Sequence, residues 1–389
     1  MKRKTLLRAW RETNKLLLLL CLALSVFGVV LVASATHPTL LEGQTLSRDA
    51  LVMLFAMLLG LGLALAISFI DYDLIYKLLP LVVLGSLGLV FLLFTPLGVA
   101  PVARQSARSW LKITSTLYLQ PSEILKIGFV ISFSYHLNRV RQSLSAPHNV
   151  LLLALHAAIP TGLVVVTGDM GSALIFMMMF LGMMFAAGVH WLYFPAGALI
   201  VGVASPIVWY RIFDDIQRNR ILALFDPDAY STEFYQQRQA LGAIQSGGFF
   251  GRGYLNGPFI QTGSVPESQN DMIFSVVGEE FGFVGVFLLL AVFLLLAVRI
   301  ARIGRQSQNF AACVMCYGIM FMIVSQVIIN VGMCISVLPV IGITLPFLSA
   351  GGSSVICLYL AMGLVLSVSR ASHNIQYDDY RYARIAISG

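Results

Sequence analysis

Apolar runs long enough to cross a bilayer recur along almost the whole chain, and this pattern constrains the fold most strongly. A helix that crosses the hydrocarbon core needs about 20 predominantly apolar residues, and it satisfies its backbone polar groups internally. The runs are Leu16–Ala35, Leu51–Ile70, Leu78–Phe94, Pro121–Leu137, Val150–Val166, Gly171–Gly188, Trp191–Tyr210, Phe281–Val298, Phe310–Ile329 and Val355–Ser369. The sequence therefore predicts an all-α polytopic membrane protein with ten transmembrane helices.

The composition agrees with this prediction. Of the 389 residues, 58% are hydrophobic and 11% are charged, whereas soluble domains carry about 25% charged residues. Ten spans leave no stretch for a soluble domain, so we expect a single integral membrane domain over residues 1–389. In a soluble protein, the net charge of +7 would suggest binding to nucleic acid. In a membrane protein, the basic residues indicate orientation instead, so we expect no nucleic acid partner.

Basic residues predict the orientation of the chain. With the N-terminus inside, 15 of the 25 Lys and Arg residues lie on the inner face, nine lie on the outer face, and Lys126 lies within a span. Five of the nine belong to one long loop, and long loops cross a membrane largely regardless of charge. We therefore expect two cytoplasmic tails, 1–15 and 370–389, and a large outer loop, 211–270, between spans 7 and 8.

Three segments that interrupt the helical pattern fall on the predicted outer side. They are Thr95–Gln120, Arg211–Asn270 and the Pro- and Gly-rich Ile335–Ser354. Long outer segments with short inner turns predict chemistry at the outer surface. Irregular backbone at membrane depth persists only where protein or a water-filled cavity satisfies it. The segment Ile335–Ser354, which includes Ser353, is therefore predicted to line a cavity.

The stretch Gln120–Lys126 places two charges at the start of a span. Pro121 suits the first turn of a helix, and Glu123 and Lys126, three residues apart, share a helix face. A charged pair within a span is expensive and favours a functional role. The alternative is a structural ion pair whose two charges neutralise each other.

Two further carboxylates stand at the ends of apolar runs. Asp169, between the glycines of Thr167–Ala173, either caps the sixth span or has a functional role. Asp271, in Val265–Phe274, stands where a polar loop meets an apolar segment, so it is partly shielded from water. Such shielding suits a carboxylate to act as a general base. On physical grounds alone, an ordinary boundary carboxylate remains the alternative.

The long loop contains a predicted helix and a glycine-rich turn. Ser231 or Thr232 is expected to cap a helix that runs to Ile244, and Gly247–Gly248 is expected to end it. The turn Gly251–Gly253 has too few glycines for a nucleotide-binding loop.

These motifs, in their order along the chain, resemble those of the SEDS proteins of bacteria, a family that includes RodA, FtsW and SpoVE. The resemblance covers about residues 105 to 355. It rests on Gln120–Lys126 (QPSE-x-x-K), Gly168–Ala173, Tyr235–Gln236, Gly247–Gly248, Gly251–Gly253, Pro266–Glu267, Asp271–Phe274, Gly278–Gly282, Asn330, Leu338–Pro339, Gly342, Leu345–Pro346, Ser349 and Gly351–Ser354.

The resemblance implies a ten-span polymerase of the bacterial plasma membrane. Such an enzyme joins the disaccharides of lipid II, the undecaprenyl-linked precursor, into peptidoglycan strands at the outer leaflet, for cell shape, division or sporulation. Implied partners are a class B penicillin-binding protein and other elongation or division proteins. The family's essential loop aspartate falls on Asp271, and the lysine and glutamate of QPSE-x-x-K fall on Lys126 and Glu123. The residues Glu267–Phe274 favour a RodA-like member of the family.

Three departures from the family pattern stand out. Where many members have Gly-Ala-x-Arg-Trp, this chain reads Ser106–Trp110 with Ser109 at the arginine position, and Arg108 is a candidate substitute. Ala350 replaces a tyrosine, and Met272 replaces a phenylalanine. We expect these to be subfamily variation.

Joining two disaccharides requires a sugar hydroxyl to attack an anomeric carbon and to expel a lipid pyrophosphate. We expect Asp271 to be the general base and preorganised cations to meet the pyrophosphate. The candidate substrate-binding residues are Lys126, Glu123, Arg108, Trp110, Arg218, Arg220, Asp169 and Ser353.

The residues identify no cofactor, and a divalent cation is left open. Asp169, Glu267 and Asp271 are its candidate ligands, although no spacing demands a metal. Two other function classes also remain: a flippase or transporter, which would distribute polar groups through the membrane depth, and a scaffold, which would not need Asp271.

Overall fold

Fourteen helices follow one another through the described part of the chain. The structure, a computed structural model, describes residues 13–40, 44–100, 108–114 and 118–388. The helices are α1 (Lys15–Ala35), α2 (Arg48–Ser68), α3 (Tyr72–Lys77), α4 (Leu79–Phe91), α5 (Pro121–Arg139), α6 (Pro147–Val166), α7 (Met170–Ala187), α8 (Tyr193–Ile207), α9 (Asp215–Leu222), α10 (Ser231–Gly247), α11 (Pro258–Gln261), α12 (Ile273–Gln306), α13 (Phe310–Cys334) and α14 (Gly352–Ser388). Most of the predicted tail 1–15, together with Ser106, lies outside the described residues.

Eight helices within these ranges are long and apolar enough to cross a membrane: α1, α2, α6, α7, α8 with its continuation to Ile212, α12, α13 and α14. The polytopic membrane architecture predicted from the sequence is confirmed. The other two predicted spans coincide with α4, which is short and ends in a 3-10 turn, Leu92–Phe94, and with α5, which carries Glu123 and Lys126. The count of ten spans stays a prediction.

Local capping chemistry sets several helix ends. Asn14, Ser47 and Asn309 accept hydrogen bonds from first-turn N–H groups of α1, α2 and α13. Pro121 and Pro147 lie in the first turns of α5 and α6, where a missing N–H removes no intrahelical bond. Polar residues at the ends of apolar runs therefore act as helix start signals.

One predicted span boundary differs from the structure, and another coincides with a break in a helix. Helix α12 begins at Ile273, but the non-helical backbone of Gly282 (φ 63°, ψ −163°) divides it, and the span predicted from Phe281 begins at this break. Helix α14 does not end near Ser369 but continues to Ser388. No Gly or Pro interrupts residues 370–388, so nothing local ends the helix there.

Helix α13 packs against α5, α7, α10, α12 and α14. Helices α2 and α14 pack closely along their length, and Gly60 permits this approach because a Cβ there would lie 2.7 Å from the ring of Tyr359. By contrast, no residue of α8 is buried against the described chain. Apart from Tyr193 and Phe194, which pack against the core, most of its apolar side chains are exposed.

Short elements fill the predicted outer segments. The first segment holds a small antiparallel sheet of β1 (Gly98–Val99), β2 (Trp110–Lys112) and β3 (Tyr118–Leu119). The segment 211–270 holds α9, α10 and α11. The predicted helix in this loop is confirmed as α10, and Gly248, with a φ of 56°, follows its end. Its N-cap residue is Tyr230, so capping by Ser231 or Thr232 was wrong.

Candidate functional site

Asp169 joins the beginnings of α5 and α7. It is the N-cap of α7, and its Oδ1 accepts a hydrogen bond from the Ser172 amide at 3.0 Å. Its Oδ2 accepts from Gln120 Nε2 at 2.9 Å, from Ser122 Oγ at 3.1 Å and from Ser172 Oγ at 2.7 Å. The predicted cap is therefore confirmed, and the same carboxylate links the first two motifs across 49 residues of sequence.

Glu123 and Lys126 form a buried ion pair in the first two turns of α5. Lys126 Nζ lies 2.8 Å from Glu123 Oε1, and the exposed fractions of the two side chains are 1% and 7%. Lys126 is among the largest fully buried side chains of the described structure. In this arrangement its ammonium group faces Glu123, so contact with a phosphate outside the bundle requires the pair to separate.

The segment before α12 is held by consecutive backbone carbonyls. The Gln269 carbonyl accepts from the Ala350 amide at 2.8 Å, and the Asn270 carbonyl accepts from Ser349 Oγ at 2.7 Å. The Asp271 carbonyl accepts from Asn330 Nδ2 at 2.8 Å. Asp271 itself is half-buried. Its backbone is therefore anchored to the segment that precedes α14 and to α13.

Glu267 adopts a conformation that is uncommon for a residue with a side chain. Its φ is 54°, in the left-handed region. Its carbonyl accepts from the amides of Asn270 and Met272 at 2.9 and 3.1 Å, and its Oε2 accepts from Asn270 Nδ2 at 2.7 Å. These bonds stabilise a tight turn directly before α12, and strained backbone of this kind concentrates at functional sites.

The segment Leu338–Ala350 connects the remaining motifs. Gly171 of α7 lies against it, since a Cβ there would be 2.6 Å from the Ile343 side chain. From the long loop, Arg220 Nη1 donates to the Val340 carbonyl at 3.2 Å, and Gln237 Nε2 donates to the Leu338 carbonyl at 2.8 Å. The motifs that the sequence contains as separate stretches thus form one contact network beside Asp271.

The glycine-rich turn of the long loop pairs with a break in α12. Gly282 has a φ of 63°, which interrupts the helix and leaves nearby backbone groups available. The amides of Arg252 and Gly253 donate to the carbonyls of Glu279 and Glu280 at 2.9 and 3.0 Å. A Cβ at Gly251 would lie 2.2 Å from the Glu280 carbonyl oxygen. Glycine is required there because two backbones are in direct contact.

Glu279 and Glu280 extend this contact through their side chains. Glu279 accepts from the amides of Phe259 and Ile260 at 2.8 and 2.9 Å, so it caps the short helix α11. Glu280 Oε1 accepts from Ser34 Oγ of α1 and from the Leu255 amide. Together, the two carboxylates fasten the long loop to α12 and α1.

Burial, together with the negative charge of Glu280, raises the pKa of Tyr254 above its ordinary value. Its phenol therefore stays neutral at physiological pH and carries no charge into the loop.

The predicted basic and aromatic candidates lie at several places around the network. Arg218 of α9 donates through Nη2 to the Phe213 carbonyl at 3.0 Å and lies 3.5 Å from Asp215. Arg108 is exposed, whereas the neighbouring Ser109 is buried. The substitution of Arg108 for the family's arginine therefore stays a prediction.

Two other candidates are half-buried: Trp110 in β2 and Ser353 in the first turn of α14. In the described ranges, no three His, Cys, Asp or Glu side chains come together as a metal-binding group. Asp169, Glu267 and Asp271 therefore do not come together as one such group.

Sequence reasoning did not single out Asn330, Gln237 and Ser349 as site residues. Each is buried, and each donates a side-chain hydrogen bond to a backbone carbonyl of another segment. The available signal was a lone amide at the end of an apolar run, since an amide is costly to bury without a partner. The identity of that partner is not visible in the sequence.

Comparison with known proteins gives one consistent family. The family model described as "Cell cycle protein", FTSW_RODA_SPOVE, matches residues 14–374. The chain is 34% identical over 265 residues to the "Peptidoglycan glycosyltransferase MrdB" of Escherichia coli (strain K12), covering 68% of this chain and 71% of the relative. It is 32% identical over 366 residues to the "Probable peptidoglycan glycosyltransferase FtsW" of Geobacter metallireducens, covering 91% and 93%.

Solved structures agree. A chain from work described as "Structural coordination of polymerization and crosslinking by a peptidoglycan synthase complex" has a TM-score of 0.78 and 26% identity, covering 92% of this chain and 98% of the other. The crystal structure of the Thermus thermophilus rod shape determining protein RodA has a TM-score of 0.66 and 25% identity, covering 92% and 97%.

Proposed function

This chain belongs to the FtsW/RodA/SpoVE family of cell cycle proteins, and from that premise we propose that it is a peptidoglycan glycosyltransferase. It joins the disaccharides of lipid II into glycan strands at the outer face of a bacterial plasma membrane. Two relatives that the chain resembles over two thirds or more of their length carry peptidoglycan glycosyltransferase names. One of them is an MrdB and the other an FtsW, so cell elongation and cell division are the processes to test.

The observation that carries the proposal is the convergence of the outer segments on the loop of Asp271. A carboxylate at the edge of an apolar bundle, on a backbone anchored at Gln269, Asn270 and Asp271, is a preorganised group. In the proposed reaction, Asp271 accepts the proton of the attacking sugar hydroxyl. A positioned base contributes about 10² to 10⁴ in rate.

The departing lipid pyrophosphate needs positive charge. Two arginines of α9, Arg218 and Arg220, are half-buried rather than fully solvated. Arg220 already contacts the segment Leu338–Ala350 through Val340. We assign these two arginines the main part of this task, while Lys126 takes part once its pair with Glu123 separates.

The substrate also explains why the enzyme consists almost entirely of apolar helices. Its lipid anchor stays in the bilayer while its sugars lie at the surface, so the protein must present a site at the boundary between the two. The orientation that achieves this puts both termini in the cytoplasm and the loop 211–270 outside. This assignment rests on the distribution of basic residues.

A membrane-anchored transpeptidase is the proposed partner, specifically a class B penicillin-binding protein that cross-links the strands. The support is the similarity to a chain from a complex that coordinates polymerization with crosslinking. Glycan polymerisation and peptide cross-linking act on the same product, so physical association keeps the new strand within reach of both activities.

Polymerisation of purified lipid II by the purified full-length protein in lipid nanodiscs tests the function. Asp271→Asn keeps the size of the side chain but cannot accept the proton, so we expect at least a 10²-fold loss of polymerisation with lipid II binding retained. Asp228→Asn, at an exposed carboxylate in the long loop, is the matched control and should remain active. Polymerisation by Asp271→Asn within about tenfold of wild type would show that Asp271 is not the base.

A further inference from the structure

We propose that Asn330 is a positioning residue for the proposed catalytic base, which it serves by fixing the backbone of Asp271 from α13. The inference rests on the proposed function, since it assigns a task to the carboxylate of Asp271. Two features of Asn330 support it: its hydrogen bonds and its burial.

Both N–H groups of the Asn330 carboxamide are used on the backbone of other segments. Nδ2 donates to the Asp271 carbonyl at 2.8 Å and to the Ile343 carbonyl at 2.7 Å. Because both neighbours are acceptors, the amide can be oriented only with its nitrogen toward them. One side chain therefore bridges the loop before α12 to the segment before α14.

The bridge is part of a run of anchored carbonyls. Gln269, Asn270 and Asp271 each present a carbonyl to a different donor: the Ala350 amide, Ser349 Oγ and Asn330 Nδ2. Three consecutive peptide units held in this way leave the Asp271 backbone little freedom to rotate. A misplacement of about 1 Å in a reacting group can cost 10²-fold in rate, so this anchoring has a direct catalytic value.

Stability alone does not explain Asn330. Its side chain is 0% exposed, and among the described residues its Oδ1 has no hydrogen-bond partner. A buried polar atom without a partner is costly. Asn330 leaves one polar atom unsatisfied while its amide nitrogen holds two loop carbonyls. The position that it imposes on these carbonyls accounts for this cost.

The same geometry explains why the chain tolerates alanine at position 350. Ala350 takes part through its backbone N–H, which any residue except proline supplies. The anchoring of Gln269 is therefore independent of the side chain at 350, whereas the anchoring of Asp271 depends on the amide of Asn330.

The test compares Asn330→Leu with Gln326→Leu in nanodiscs. Leucine is nearly isosteric with asparagine and donates no hydrogen bond. Gln326 lies four residues earlier on the same helix and is 2% exposed, and in the described structure it makes no hydrogen bond to residues 269–271. For Asn330→Leu we expect kcat for lipid II polymerisation to fall about 10²-fold with KM within about threefold. Gln326→Leu should retain its kcat, and Asn330→Leu, which leaves two carbonyls without their donor, should have the lower melting temperature of the two.

A double variant separates a positioning role of Asn330 from a role that is independent of Asp271. Asp271→Glu moves the carboxylate by one methylene, so its position is already lost. Adding Asn330→Leu to that variant should therefore cost less than about threefold more, as for residues that act as a unit. Losses that multiply would overturn the inference, and so would a kcat for Asn330→Leu within threefold of that for Gln326→Leu.

Hydrogen exchange of the amides in 268–274 supplies a readout that does not depend on the activity. Exchange should rise in Asn330→Leu and stay unchanged in Gln326→Leu. Unchanged exchange in Asn330→Leu overturns the inference, whereas a wild-type protein that cannot polymerise lipid II overturns the proposed function alone. If Asn330→Leu does not fold, Ser349→Ala is the second variant, since it removes one hydroxyl. It should lower kcat about tenfold at constant KM. A normal kcat in Ser349→Ala overturns the inference.

Discussion

Removing the charges of Glu123 and Lys126 separately and together tests what this buried pair contributes. The two side chains are almost fully enclosed, and their charged atoms lie 2.8 Å apart. At an effective dielectric constant of about 20, that distance corresponds to an attraction of about 6 kcal/mol before the cost of dehydrating both ions is subtracted. Most of this attraction offsets dehydration, so the net contribution of the intact pair is small.

Each single variant should lose stability, because it leaves one buried charge without its partner. Breaking a buried pair from one side typically costs about 3 to 5 kcal/mol. We expect Lys126→Met and Glu123→Gln each to lower the apparent melting temperature in nanodiscs by roughly 4 to 6 °C. The double variant should recover most of that loss, because no lone charge remains.

Polymerisation of lipid II in the same preparations separates the two roles of Lys126. If Lys126 meets the substrate pyrophosphate, the double variant should be as stable as wild type and as inactive as Lys126→Met. Recovery of activity in the double variant would show that the lysine is only a structural partner. Additive losses of melting temperature would refute the coupling itself.

The exposed pair Arg238–Asp228 is the control for this cycle. Its atoms are 3.3 Å apart, but the side chains are 53% and 98% exposed. Exposed pairs contribute about 0 to 1 kcal/mol. Neutralising both members should therefore leave the melting temperature and the activity close to wild type.

Two further predictions concern topology and the loop contact. A membrane-impermeant thiol reagent added outside should label Asn256→Cys but not Gln308→Cys, and the reverse pattern would contradict the predicted orientation. Gly251→Ala should lower the melting temperature far more than Gly263→Ala; both positions have positive φ, but only at Gly251 would a Cβ meet the Glu280 backbone, while at Gly263 it meets open space. Equal effects in the two variants would mean that backbone strain, rather than the loop contact, is the source of the loss.

The sequence by itself determined the membrane architecture and most of the residues to examine. Hydropathy identifies spans because the bilayer acts on each segment separately, whatever its neighbours are. The charged pair in Gln120–Lys126 and the boundary carboxylates Asp169 and Asp271 stand out for the same reason. Capping by Asp169 and the end of α10 near Gly248 were also predictable, since they depend on adjacent residues.

Which segments meet depends on packing, which the sequence pattern does not contain. Asn330 contacts Asp271 across 59 residues of sequence, and Glu280 contacts Ser34 across 246. No local pattern contains such a pairing, because a hydrogen bond depends on where two elements lie after packing. The part of α12 before the break at Gly282 was left out of the predicted span for this reason: Glu279 and Glu280 appear polar in the sequence, yet the folded loop and α1 supply their donors and allow them to be buried.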